Sequence, residues 1–213
     1  MEKINLNEFN QVLQDVRTAY RLIALYQTRV KDIVRYIMDN YQLTYAGGYQ
    51  KFSASNPRNG KSAKLNNYTW DWLPMYMYQF TAKEFKKDSD EYCFHVYHVA
   101  DSGYFDQFGP ERGPDRLNIT AFGPVASSKT RLFFVLSRND VKGWPYSKVL
   151  KNHLTANSIV EISEGDWIAK SFDIQKFFNE ESAIDMMKDF DNFCFEHFKI
   201  KLIDRDSKTD LTD

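Results

Sequence analysis

The feature that most constrains this chain is an uninterrupted heptad pattern near its start. Phe9, Val16, Ile23, Val30 and Ile37 recur every seventh residue, and Val12, Ala19, Tyr26 and Ile33 stand three places after the first four of them. Leu13, Tyr20, Val34 and Tyr41 widen the stripe on one side, and no Gly or Pro occurs between Met1 and Ala46. This period with no breaker predicts one amphipathic helix of about 35 residues, roughly 50 Å long. Asn5 or Asn7 is placed to cap its start, and Gly47-Gly48 lies beyond its end. Arg17, Arg21, Lys31 and Arg35 mix with Asp15, Asp32 and Asp39 away from the stripe, the pattern of a solvated face.

Helices of globular proteins average about 10–14 residues, so a helix of this length needs a long partner surface. Either it spans a whole sheet, or it extends beyond one and pairs with a second copy. β-Branched residues at the repeating positions suit a coiled-coil seam. The wide face, with its Tyr and Ala, equally suits packing on the protein's own sheet. Strands of ordinary length span about 17–20 Å, and an uncovered remainder would leave an apolar patch rarely tolerated on a monomer. Self-association through this helix is therefore expected.

Beyond the helix the pattern changes. Gly47-Gly48, Asn56-Pro57, Asn59-Gly60 and Asn66-Asn67 read as turns and loops between Tyr45 and Trp70. Two β-prone aromatic stretches follow, WDWLPMYMYQF and EYCFHVYHVA, separated by the charged turn KEFKKDSDE. Three Gly-Pro pairs between 101 and 130 predict a long irregular excursion with one short strand at LNITAF. TRLFFVLSRN reads as a central strand, since its core is apolar on both faces. A short helix is expected at 145–156, then a hairpin of NSIVEIS and DWIAKSFDI. Asn179 is a plausible cap for a last helix, with Glu180-Glu181 at the positive end of its dipole. Ala183, Met187, Phe190, Cys194 and His197 line one face of that helix.

These elements predict an α+β fold: a long N-terminal helix packed on a mainly antiparallel sheet of about five to seven strands, with a C-terminal helix. The expected organisation is a single domain over 1–203. Residues 1–42 form the helix, 43–178 the sheet region with its loops and 179–198 the C-terminal helix; 204–213 make a disordered tail.

Composition narrows the function. The 213 residues carry 28 Lys and Arg against 29 Asp and Glu, a net charge of -1. This balance removes bulk charge as a reason to coat nucleic acid or an acidic membrane. No run approaches the roughly 20 apolar residues of a membrane span, and MEKINLNEFNQ lacks the apolar stretch of a secretory signal. Cys93 and Cys194, the two cysteines, each lie in an apolar stretch and read as buried thiols of a reducing, cytoplasmic protein.

Catalytic patterns miss in spacing or context. Ser55-Asn-Pro-Arg-Asn-Gly60-Lys61-Ser62 lacks the first glycine of a phosphate loop and the helix after it. His95 and His98 are three apart in a strand and point to opposite faces, so they cannot share an ion. Glu161, Glu164, Asp166 and Lys170 collect the residue types of a metal-dependent nuclease, but Ile168 stands where an acidic residue is needed. Asp101-Ser102-Gly103 follows a strand without forming a nucleophile elbow. No metal or other cofactor is expected.

Two segments carry contact chemistry. Between Asp39 and Asp71 there is no acidic residue, while Lys51, Arg58, Lys61 and Lys64 supply cations and Trp70 an aromatic platform. Cations for phosphates and rings for bases are what single-stranded nucleic acid requires. In the 101–130 excursion, Tyr104, Phe105 and Phe108 suit a protein contact. The expected function is a non-enzymatic cytoplasmic interaction or regulatory protein that binds a macromolecular partner, a protein first of all. The alternative is a nucleic-acid-binding protein or nuclease-like enzyme using the basic loop at 45–70 and the carboxylates at 161–166.

Overall fold

Helix α1 forms where the heptads place it, over Leu6–Asn40. Asn5 caps it reciprocally: its Oδ1 accepts from the Glu8 backbone N–H at 3.0 Å, while Glu8 Oε2 accepts from the Asn5 N–H at 3.2 Å. Two of the orphan amides of the first turn are thereby satisfied. The helix ends before the glycines. Gln42 adopts a left-handed conformation (φ 54°), and the Leu43 N–H bonds back to the Met38 carbonyl at 2.9 Å, closing the last turn.

The computed structural model describes residues 5–50, 77–103, 122–139, 161–164 and 166–203. The helix up to Tyr36 forms one unit and the chain from Ile37 onward a second. The expected strand at LNITAF, apart from Phe122, the helix at 145–156 and the tail at 204–213 lie outside the described residues.

The second unit is an antiparallel sheet with one helix on it. Seven strands are described: β1 (Tyr45–Gln50), β2 (Met77–Ala82), β3 (Phe85–Lys87), β4 (Asp90–Val99), β5 (Arg131–Arg138), β6 (Glu161–Glu164) and β7 (Trp167–Asp173). Six of them lie in the order β1-β2-β4-β5-β7-β6, and β3 pairs with β4. Every described pairing is antiparallel. A 3-10 turn at Ile174–Phe177 leads to helix α2 (Glu180–Phe198). The protein is thus α+β, with a long N-terminal helix, a mainly antiparallel sheet and a C-terminal helix.

Two strands depart from the sequence reading. Residues 45–50 are a strand, although their glycines read as a turn. Gly48 is there for proximity: a Cβ on it would collide with the Gln79 carbonyl and lie 2.6 Å from the Tyr78 ring. Gly47, at φ +145°, occupies a conformation that side chains rarely adopt, at the register shift between Tyr45 and Gly47. The charged segment 83–91, read as a turn, contains β3. Its turn is shorter than expected, with Asp88 left-handed at φ 56°.

Side chains of the sheet divide between two faces, and those of the central strands are buried on both. On one face Phe134 of β5 meets Phe94, Phe172, Phe177 and Phe190, with ring centroids 5.0–5.7 Å apart. Phe190 comes from α2, and Tyr41, just beyond α1, adds an edge-on contact to Phe94 at 5.4 Å while its hydroxyl donates to the Met187 carbonyl at 2.9 Å. β5 is buried from Arg131 to Ser137, which explains its unbroken apolar core and its central place.

α2 begins as expected: Asn179 Oδ1 accepts from the Ser182 N–H at 2.8 Å. Its buried face carries Ala183, Met187, Phe190 and Cys194. His197, expected to continue that face, is exposed, and Phe198 is buried in its place. Phe198 stands four residues after Cys194, on the same stripe of the regular helix, whereas His197 lies about 100° round from it.

Asp191 is the polar member of this buried face. Its two carboxylate oxygens accept from the backbone N–H groups of Leu202 at 2.9 Å and Ile203 at 3.1 Å, holding the segment after α2 in place. Burial raises its pKa above the ordinary carboxylate value; the two N–H donors, with Lys201 and Lys87, oppose the shift without cancelling it. A raised native pKa means that the unfolded chain ionises first, so this group's stability contribution is full at lower pH and declines as pH rises from the ordinary value to the native one. Asp191→Asn removes that titration. Thermal melts should therefore show the variant gaining on the parent protein as pH rises through the acid range, and a constant difference would refute the assignment.

Candidate interaction surface

Burial along the α1 stripe is graded. Its last positions, Val30, Ile33, Val34, Ile37, Met38 and Tyr41, are all buried. Ile23, Tyr26 and Gln27 are half-buried. Every described side chain before Ile23 is exposed, including the apolar series Phe9, Val12, Leu13, Val16 and Tyr20. Val12 is 50% exposed and Tyr20 64%. The heptad pattern does not weaken where burial stops. Leu22, 61% exposed, borders the stripe and extends it. These side chains, three and four residues apart, form a continuous exposed apolar strip along one side of the helix.

Charge flanks this patch unevenly. The positions just before each leading apolar residue are Glu8, Asp15, Leu22 and Arg29, acidic near the helix start and basic farther on. Glu8 serves the cap, and Asp15 accepts from Gln11 at 3.0 Å. Farther round, Arg35 pairs with Asp32 at 3.2 Å on the solvated side. The patch is an apolar strip with a charged border, the anatomy of a contact surface.

The other residues singled out by sequence are distributed as follows. Lys51, Arg58, Lys61, Lys64 and Trp70 of the basic loop lie outside the described residues, as do Tyr104, Phe105 and Phe108. Of the hairpin carboxylates, Asp166 is engaged: its Oδ1 accepts from Arg138 Nε and Nη2 at 3.1 and 3.0 Å. Glu161 stands opposite Lys170 and Glu164 opposite Trp167 in the β6–β7 register. Lys170, 11% exposed at its side chain, donates to Asp189 of α2 at 2.8 Å and lies over the Phe193 ring. Of the groups in the nuclease-like reading, Asp166 and Lys170 are therefore committed to different partners. Among the described residues, no three His, Cys, Asp or Glu side chains converge as metal ligands.

His95 and His98 are both buried and, three apart on β4, face opposite sides of the sheet. His95 Nδ1 lies 3.2 Å from Gln79 Nε2 and 3.1 Å from Thr81 Oγ1, and its ring stacks on Trp167 at 6.4 Å. His95 is thus a packed, hydrogen-bonded member of an aromatic sheet, and only its polar partners on the second sheet face escaped the sequence reading. Their signal was the Gln-x-Thr alternation in β2, which places two polar residues on one side. Cys93 and Cys194 are buried and free. Burial pushes the Cys93 thiol up to about 11, with Glu84 adding to the shift, and holds the Cys194 thiol well above its ordinary value. Both are therefore poor nucleophiles.

Among the described residues no helix is long and apolar enough to cross a membrane. No curated protein and no solved structure gives a significant match to the chain. One family model, PM0109, matches residues 6–199, and the chain belongs to that family.

Proposed function

We propose that this PM0109-family protein is a non-enzymatic interaction protein of the cytoplasm that docks a macromolecular partner on the apolar stripe of α1. The observation that carries the reading is the continuation of the heptad stripe from Tyr20 back to Phe9 with its side chains exposed. Leaving such a strip in water is unfavourable, and covering it recovers about 25 cal/mol for each Å² of apolar surface. The commitment of Asp166 to Arg138 and of Lys170 to Asp189 supports binding over hairpin-based cleavage. The free buried thiols support a reducing compartment.

In-cell photo-crosslinking tests the proposal. A photoreactive residue in place of Val16 should yield a covalent protein adduct, whereas the same residue in place of Thr18, off the stripe, should yield far less. Absence of adducts from Val16 and Val12 alike would refute it.

A further inference from the structure

The exposed stripe also constrains what covers it. We infer that its occupant is the same stripe of a second copy, running antiparallel; this rests on the docking role proposed above. Two helices joined by apolar residues in heptads bury them as layers, and in an antiparallel pair each leading position meets the position three places on from the other chain's heptad start. Pairing the stripe over Phe9–Tyr26, its exposed part together with the half-buried Ile23 and Tyr26, sets Phe9 opposite Tyr26, Val12 opposite Ile23 and Val16 opposite Ala19, each layer occurring twice. A parallel pair would instead face Ala19 with Ala19, leaving a void near its centre. The antiparallel order sets Ala19 against the larger Val16 at the centre.

The flanking charges select the same order. In the antiparallel pair, flanking positions face their own kind on the other helix, so Glu8 of each copy lies near Arg29 of the other. In a parallel pair they face the opposite flank, where Glu8 would meet Leu13 and Asp15 would meet Tyr20. Only the antiparallel register converts the uneven border, acidic at one end and basic at the other, into two ion pairs.

Sedimentation of the full chain across a concentration series should show a reversible dimer. Glu8→Lys and Arg29→Glu should each weaken it several-fold, and the double variant should recover most of the loss. Glu8→Lys also removes the helix cap, but the double variant lacks that cap too, so recovery reports the pairing itself. Spin labels on Arg21→Cys and Thr28→Cys distinguish direction, since Cys93 and Cys194 are buried. At 1.5 Å per residue the antiparallel pair separates the labels along the axis by about 10 Å at position 21 and about 30 Å at position 28. Equal distances at both positions would mean a parallel pair and overturn the inference. A strict monomer that still gives Val16 adducts with another protein would overturn it while leaving the docking role intact. A monomer with no adducts would remove both.

Discussion

Phe134→Ala is expected to lower the unfolding free energy by about 3–5 kcal/mol, the cost of emptying a large, fully packed aromatic site. Phe134 is completely buried and its ring touches four others, from β4, β7, the 3-10 turn and α2. No single neighbour can collapse into the space, because each is itself held by another ring: Phe172 by Phe177, and Phe190 by Phe94 and Phe193. With native stabilities of about 5–15 kcal/mol, the loss is a large share of the total. Urea titration should show the midpoint falling with the slope unchanged. Phe195→Ala, at a site 49% exposed on the outer side of α2, serves as the contrast and should move the midpoint little. Equal effects of the two substitutions would mean that the aromatic cluster is not the core of this unit.

That cluster was partly legible in the sequence. The unbroken run LFFVL marked β5 as central because a strand buried on both faces has no polar alternation, and the structure places it between β4 and β7. Asn179 with Glu180-Glu181 located the start of α2, since side-chain capping is a local event. β1 and β3 were missed for the opposite reason. Gly47 and Gly48 weaken a strand locally and are accepted because β2 approaches too closely for a side chain; that approach is a tertiary fact. β3 is three residues of mostly charged sequence, formed because β4 supplies its hydrogen bonds.

The candidate surface was legible as a pattern and not as a location. Periodicity established which side of α1 is apolar, but the same heptads run through buried and exposed stretches alike. Only coordinates separate Val30, fully buried, from Val16, 44% exposed. Asp191 and the pairing of His95 with Gln79 and Thr81 were missed because the partners lie far away in sequence or on another strand.

The second large effect follows from that separation. Val16→Glu should leave the fold and the melting temperature of the sheet unit nearly unchanged, since the side chain is already in contact with water. Association should fail. The Val16 layers flank the centre of the antiparallel pair, so the substitution brings two unpaired carboxylates into the interface. Burying charges without partners costs several kcal/mol, and each 1.4 kcal/mol is a factor of about ten in affinity. The dimer constant should weaken at least about 100-fold. The same substitution at Thr18, off the stripe, should change it little. Equal weakening by both would point to a loss of helix and away from a loss of interface.

Amide hydrogen exchange across Phe9–Tyr26 tests the pairing of this docking face with a second copy most directly, because it reads the helix in the unmodified protein. If the stripe is covered by a second copy, these amides should become progressively more protected as concentration rises from low to high micromolar, while the amides of β4 and β5 stay equally slow throughout. Exchange across Phe9–Tyr26 that is independent of concentration, whether fast or slow, would contradict the reversible pairing of this face with a second copy.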